Sequence, residues 1–394
     1  MSLDVPAIQA SLRESGLDGW LLYDFHGSNP IATRLTGLDR AGKMTTRRWF
    51  YLVPASGEPQ ALVHAIERHN LETLPGTTAV YAGRHQLEEA LGRLVGGRRR
   101  LAMEYSPECA IPYVSRVDAG TVEWIRRLGA EIVSSGDLVQ QFEAVWDEEA
   151  LRSHRQASAS LYLIKDRAFT EIGRRLRDGV PTTELDIQEL MTGWFRDEAL
   201  ISDSAPVVAA EENAGSPHYL PTTERHRPIR QNELVLLDLW GKLERPGTVF
   251  ADITWVGFTG VSIPEPYARA FAAVRRARDA AIALAQGAAR ERRDLRGWQV
   301  DRAARDEIDK SGYGAHFVHR TGHSLGQEVH GNGVHMDDYE THDDRRLLPG
   351  SGFTIEPGLY FDHFGVRSEI NMFYGTRDAV VTGPAQEEIC RLLE

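Results

Sequence analysis

The feature that most constrains this chain is a pair of strand-turn-strand patterns carrying acidic residues in apolar surroundings. Leu234 to Trp240 and Val249 to Phe258 read as two strands about the turn signal Glu244-Arg245-Pro246-Gly247, which predicts a hairpin with a buried face. Asp238 and Asp252 have their midpoint at residue 245, so folding about that turn sets them roughly opposite each other, amid Leu237, Leu239, Phe250 and Trp255. Gly352 to Tyr360 and Val366 to Tyr374 repeat the pattern about Asp362-His363-Phe364-Gly365, and Glu356 and Glu369 are centred on position 362.5. Ionised carboxylates buried without partners cost several kcal/mol each, offset in nature by shared protons, basic groups or metal cations. Arg367, two residues from Glu369 on the same strand face, can offset one charge of the four.

Histidine supplies the complementary group. Of the 14 histidines, His316, His319, His323, His330, His335 and His342 fall between residues 316 and 342. Gly322 and Gly326 allow close backbone approach around His323, whose neutral imidazole completes an oxygen-rich set suited to Zn, Mn, Co or Fe. Two ions sharing bridging carboxylates fit this inventory, and a thiolate-preferring metal finds no nearby cysteine. His335, His342 and His363 read as loop or surface residues, and the Arg345-Arg346 pair as solvated loop charge.

The remaining chain places these hairpins in a larger order. Up to about Trp146, apolar runs at Trp20 to Tyr23, Trp49 to Val53, Ala61 to His64, Ala79 to Tyr81 and Leu101 to Glu104 alternate with helical spacing at Gln86 to Val95 and Thr121 to Leu128. This predicts an α/β domain over residues 1–147, with Trp49, Phe50 and Tyr51 in its core. The acidic run Asp147-Glu148-Glu149 opens a long helix to about Leu176, so a second domain covers 148–394. Within it, two helices and a strand pair occur around 148–257 and again around 264–373, the second helices at Pro266 to Gln286 and Arg296 to Lys310. The fold class is α+β, with two related halves about a shared site.

Composition removes several function classes. The net charge of −12 argues against a nucleic-acid partner. Cys109 and Cys390 are too few for a disulfide framework and suit a reducing cytosol. Met1 to Gln9 has neither the basic segment nor the apolar stretch of a signal peptide, and no window approaches the roughly 18 consecutive apolar residues of a membrane span. The expectation is a cytoplasmic protein with no membrane partner.

Asp238, Asp252-Ile253-Thr254, the run Thr321-Gly322-His323-Ser324-Leu325-Gly326 with His330, Thr354-Ile355-Glu356-Pro357-Gly358 and Val366-Arg367-Ser368-Glu369 resemble the ordered signatures of the pita-bread metallopeptidases. The added amino-terminal domain makes the chain similar to the aminopeptidase P, prolidase and creatinase branch. The resemblance spans nearly the whole chain. It implies a creatinase-like α/β domain followed by a pita-bread catalytic domain with pseudo-twofold helix-helix-hairpin repeats. It also implies a metal-dependent exopeptidase that hydrolyses the Xaa-Pro amide bond, either an Xaa-Pro aminopeptidase or an Xaa-Pro dipeptidase. The implied substrates are proline-containing dipeptides or longer peptides, the assembly a homodimer or larger, and the cofactors two divalent ions, with manganese expected and zinc or cobalt as alternatives.

Carried onto this sequence, the family pattern makes Asp238 a bidentate ligand of one metal, Asp252 and Glu369 bridges, and His323 and Glu356 ligands of the other. A hydroxide lies between the ions, which lower the pKa of bound water from 15.7 to about 7. The pattern also makes Glu356 the general base, His330 the group facing the tetrahedral oxyanion, His218 a contact to the scissile amide and His319 a proline-side residue. Arg367 lies beside the ligands. The chain departs from the pattern in an Asp238 to Asp252 spacing three residues longer than the commonest, and in Trp255, Gly331 and Ile370. None removes a ligand. The competing readings are a creatinase-like amidinohydrolase, a lyase, a phosphotriester hydrolase and a non-catalytic binding module; broken ligand positions, which the last requires, are absent.

Overall fold

The computed structural model describes residues 3–394, which divide into two compact units between Glu143 and Ala144. Asp147, where the long helix is expected to open, is the N-cap of the first helix of the second unit.

In the first unit, strands β1 (Gly19–Asp24), β2 (Trp49–Pro54), β3 (Gln60–His64), β4 (Thr77–Tyr81), β5 (Arg100–Met103) and β6 (Glu131–Ser134) form one sheet in the order β4-β3-β2-β1-β5-β6. Helices α1 (Val5–Glu14), α2 (Pro30–Thr36), α3 (Arg84–Val95), α4 (Ala119–Arg127) and α5 (Gly136–Val139) accompany it. Side chains alternate across a strand, so Trp49 and Tyr51 join one core with Ile8 and Leu12, while Phe50 and Leu52 join another with Leu87 and Leu91. Both faces of the sheet are covered, which is why β1 and β2 read as continuous apolar runs.

The second unit opens with α6 (Glu148–Arg177), whose N-cap Asp147 accepts from the Ala150 N–H at 2.8 Å and whose last turn carries Arg174, Arg175 and Arg177. It continues with α7 (Glu184–Asp197), β7 (Leu200–Ile201), β8 (Val207–Ala210), β9 (Leu234–Leu243) and β10 (Ala251–Phe258). The second half supplies α8 (Glu265–Glu291), α9 (Gly297–Lys310), β11 (Ser324–Leu325), β12 (Ser351–Ile355), β13 (Gly358–Tyr360), β14 (Gly365–Arg367), β15 (Ile370–Tyr374), β16 (Ala379–Val381) and β17 (Cys390–Arg391). Strands β17-β10-β9-β7, with β8 also on β9, make one sheet, and β11-β12-β15-β16 another.

The period of two along β9 and β10 assigns the faces. Val235, Leu237, Leu239, Ala251 and Ile253 pack with Leu161, Ile172 and Met191 of α6 and α7. Leu234, Leu236, Val256 and Phe258 face the other way, into a core built on α8, whose buried Ala270, Ala273, Ala277, Ala281 and Ala285 fall at helical spacing. Asp238 and Asp252 continue this second face, so acidic groups stand where an apolar layer would otherwise run on.

His154 of α6 is fully buried, its Nδ1 at 2.8 Å from the Phe250 carbonyl and its Nε2 at 2.7 Å from Thr382 Oγ1. A carbonyl only accepts, so Nδ1 carries the proton and Nε2 accepts from the threonine. Burial pushes this imidazole down to about 4. In the unfolded chain it titrates near 6.5, so between those values the unfolded state binds the extra proton and stability falls as pH falls. We expect about 2 kcal/mol of stability to be lost through His154 between pH 7 and pH 5. Denaturant unfolding at both pH values checks this: His154→Gln should remove about that much of the difference.

Candidate metal centre

Each hairpin places two of its carboxylates, in registers that the strand ladders define. In β9 and β10, Asp238 is partnered with Thr254 and Asp252 with Trp240. The aspartates are therefore diagonal neighbours, which corrects the expectation that they lie opposite each other. The cause is the connection at 244–250, which is longer than a tight turn and is tied by Thr248 Oγ1 donating to the Leu243 carbonyl at 2.7 Å. The displacement of the register is even, so both acids stay on the same face.

The second hairpin keeps one register throughout, with Ser351 opposite Tyr374 and Gly358 opposite Arg367. Glu356 and Glu369 stand at matching positions in it. The continuous strands expected there are broken at those positions because the backbone turns to other partners. The Glu356 N–H donates to the Thr321 carbonyl at 2.7 Å, and the Glu369 N–H to the Thr254 carbonyl at 3.2 Å. Asn371 completes the seam by accepting from the Asp252 N–H at 2.9 Å and donating to its carbonyl at 2.6 Å.

His323 enters between the hairpins. Its N–H donates to Thr354 Oγ1 at 2.9 Å, and the Thr354 N–H donates to its carbonyl at 2.9 Å. A Cβ on Gly322 would lie 2.0 Å from the Thr354 carbonyl oxygen, so only glycine lets these segments approach this closely. His323 Nδ1 is 3.2 Å from the Ser324 carbonyl, which makes Nδ1 the proton-bearing atom and leaves a lone pair on Nε2. That atom faces Asp252 Oδ2 at 3.5 Å and Glu356 Oε1 at 3.4 Å. Burial holds the imidazole well below its ordinary value, so it is neutral.

Asp252, His323 and Glu369 each offer a ligand atom within 4.8 Å of the others, and all are buried. Asp252 Oδ1 and Glu369 Oε1 lie buried without a hydrogen-bond partner. Burial first, then the neighbouring carboxylates, push both acids well above their ordinary range. Lone pairs converging without donors fit a hard or borderline divalent ion, and His323 has the carbonyl-bonded Nδ1 common in metal-ligating histidines.

Arg367 is the cation of this face. It donates from Nε to Thr254 Oγ1 at 2.8 Å and from Nη1 to Tyr360 OH at 3.2 Å, and Nη2 forms an ion pair with Asp238 Oδ2. It thus neutralises an acid of the other hairpin rather than its own neighbour Glu369. Thr254 Oγ1 donates a hydrogen bond to Glu369 Oε2 at 2.7 Å. Tyr360 lies 2.8 Å from His319 Nε2, while His319 Nδ1 donates to the Arg320 carbonyl at 2.6 Å, so the tyrosine is the donor to His319. Both ring nitrogens of His319 are thereby engaged. His330 is exposed, and its ring meets that of His323 edge-on at 4.4 Å. His218 is also exposed and lies near His330.

Two expectations are corrected. Arg345 is buried, held by Asp343 and by the Asn332 and Gly333 carbonyls at 2.9 and 2.7 Å, and His335 is fully buried and accepts from the Ser324 N–H at 3.3 Å. Both brace the His323 segment. Thr254, Tyr360 and Asn371 join the site without being singled out by the motifs, although Thr254 and Asn371 lie two residues from Asp252 and Glu369, the period that puts them on the acidic face.

The model of Metallopeptidase family M24 matches residues 160–374, and the chain belongs to that family. The probable dipeptidase PepE of Mycobacterium tuberculosis is 30% identical over 262 residues, covering 65% of this chain and 62% of that protein. The match therefore spans about three-fifths of that relative. An Xaa-Pro dipeptidase of Lactobacillus helveticus is 35% identical over 167 residues, 41% of this chain and 40% of its own length. The crystal structure of dipeptidase PepE from Mycobacterium ulcerans matches with a TM-score of 0.74 at 22% identity, covering 98% of this chain and 96% of that one. The two helix-helix-hairpin halves are the pita-bread arrangement.

Because Asp252 and Glu369 hold protons above the usual carboxylate range, an incoming ion must displace them. Adding Mn, Co or Zn to metal-free protein near neutral pH should release protons, and affinity should fall as the solution is acidified; titration in weak buffer measures both. Asp252→Ala should cost roughly 100-fold or more in affinity. Gly322→Ala should weaken binding through displacement of His323.

Proposed function

We propose that the chain is a metal-dependent exopeptidase that hydrolyses the Xaa-Pro amide bond, with dipeptides as its preferred substrates. The observation that carries this reading is the approach of Asp252, Glu356 and Glu369 to the unprotonated His323 Nε2, with orphaned oxygens on Asp252 and Glu369 and with Asp238 on the same Thr254 hydroxyl as Glu369. Membership of a metallopeptidase family supports divalent ions at this position, and the names of the relatives support a short substrate. Asp238, Asp252, His323, Glu356 and Glu369 would hold two ions. Bound there, such ions would polarise a carbonyl and make water nucleophilic at neutral pH.

The chain's own residues supply the remaining chemistry. Burial pushes the Glu356 carboxyl up to about 7, which suits a group that takes a proton and returns it to the departing proline nitrogen. Arg367 holds Asp238 in place through their ion pair. His330 and His218, exposed beside the buried group, are available to donate to the peptide oxygen and to contact the amide. His319, fixed by Tyr360 and the Arg320 carbonyl, shapes the proline side rather than carrying a proton. By the same reading the enzyme is cytosolic, a homodimer or larger, and manganese-loaded. Its two free cysteines, Cys109 and Cys390, suit a reducing compartment. Among the described residues no helix is long and apolar enough to cross a membrane.

The test is to strip the protein of metal, resupply Mn, Zn or Co in turn, and assay Xaa-Pro dipeptides beside Xaa-Pro-Xaa tripeptides. We expect restored hydrolysis with faster turnover of dipeptides, and a loss of at least 100-fold in kcat for Glu356→Gln, on the order of a lost acid-base group. Reconstituted protein that cleaves neither set would refute the assignment.

A further inference from the structure

The connection between β8 and β9 carries His218, and one buried carboxylate sets its shape. Glu184, in the first turn of α7, is fully buried, and a negative charge is favoured at that end of a helix. Its Oε1 accepts from the Ala210 N–H at 2.7 Å, and its Oε2 from the Tyr219 hydroxyl at 2.5 Å and the Arg227 N–H at 2.9 Å. Asn213 Nδ2 donates to both oxygens, at 3.1 and 3.0 Å. These donors all belong to residues 210–227, so a single side chain holds the start, the middle and the end of the loop.

The rest of the loop is arranged to keep that contact. Arg227 turns its guanidinium to the Ala210 carbonyl at 3.1 Å, to Glu212 at 2.8 Å and to Glu233 at 2.6 Å, and Arg225 lies 5.0 Å from the centre of the Tyr219 ring. Burial first, then the Glu184 hydrogen bond, raise the Tyr219 phenol above its ordinary value, so it remains the donor. A Cβ on Gly215 would lie 2.2 Å from the Phe361 carbonyl oxygen, and this close approach seats the loop against the turn of the second hairpin. Tyr219 is buried, whereas His218 is exposed and makes no hydrogen bond to the protein among the described residues. The place of the imidazole is therefore set through the backbone by its anchored neighbour.

We propose that Glu184 and Tyr219 are positioning residues for His218: the carboxylate, through the phenol, holds the loop so that the imidazole stays beside His330 and meets the scissile amide already in place. Both are too deeply buried to touch substrate themselves. The assignment rests on the Xaa-Pro peptidase reading, in which His218 contacts that amide. A side chain placed in advance loses less conformational entropy when the substrate arrives.

A double-mutant cycle in the metal-loaded full chain tests this, with Ala-Pro as substrate and Mn affinity measured on the same variants. Tyr219→Phe keeps the ring and leaves Glu184 its donors from Ala210, Asn213 and Arg227. It should lower kcat/KM about fivefold, the worth of one hydrogen bond, with Mn affinity within about twofold of wild type. Glu184→Gln, which replaces an acceptor by a donor, should act in the same direction by about tenfold or more. In a His218→Ala background Tyr219→Phe should cost less than about twofold, because the group it positions is gone. Tyr219→Phe carries the cycle even where Glu184→Gln does not fold. An equal cost in both backgrounds is the mark of a purely structural brace and would overturn the proposal. So would a fall in Mn affinity that matches the fall in kcat/KM, or unchanged hydrolysis by either folded variant. In each of these cases wild-type hydrolysis of Ala-Pro leaves the peptidase reading intact. Absence of hydrolysis of every Xaa-Pro dipeptide by the wild type would overturn both.

Discussion

The lone pair on His323 Nε2 organises this unit. It points at carboxylate oxygens of Asp252 and Glu356, 3.5 and 3.4 Å away, with no proton between them because Nδ1 already donates to the Ser324 carbonyl. Like-signed lone pairs at that separation in a buried setting repel, and the low local polarisability of the surroundings gives little relief. Burial, and for Asp252 the neighbouring carboxylates after it, raises the proton affinity of both acids, and protonating them reduces the repulsion. A divalent ion removes it more fully. The surrounding structure accommodates an arrangement of mutually repelling groups that is unfavourable by itself.

That accommodation comes from apolar packing close by. The face of β9 and β10 that bears Asp238 and Asp252 begins as Leu234 and Leu236 on one strand and ends as Val256 and Phe258 on the other, all packed into the core of α8. The opposite face is apolar throughout the same span and packs on α6 and α7. Each acidic position is thus flanked along its own strand by residues whose burial stabilises the fold, and the strands cannot slide to expose the acids without exposing those side chains. Backbone bonds from Glu356 to Thr321 and from Glu369 to Thr254 then stitch the two halves at the acidic seam.

Individual residues show how far one-dimensional reasoning reaches. Glu356 and Glu369 were legible as a facing pair because their hairpin keeps a constant register across a break in the strands. Asp238 and Asp252 were legible as sharing a face, but their pairing was displaced because the loop at 244–250 is asymmetric and its Thr248 bonds are invisible in a turn motif. Arg367 was legible as a cation beside the acids. Its partner was not, because Asp238 is 129 residues away in sequence and only the meeting of the halves sets that contact. His335 and Arg345 looked like loop polar groups, since a short segment rich in Asp, His and Gly gives no sign that it will be enclosed; both turned out to brace the His323 loop from within.

Residue types and spacing alone determined that four acids would stand on two ribbons, since strand periodicity and turn position act over a few residues and are written locally. Tertiary structure alone decided which oxygens remain without a proton donor, which acid Arg367 neutralises, that His319 is locked by Tyr360, and that the Tyr219 hydroxyl reaches Glu184. Those outcomes depend on angles and distances between elements that approach from different parts of the chain, and a local pattern carries no information about them until packing brings the elements together.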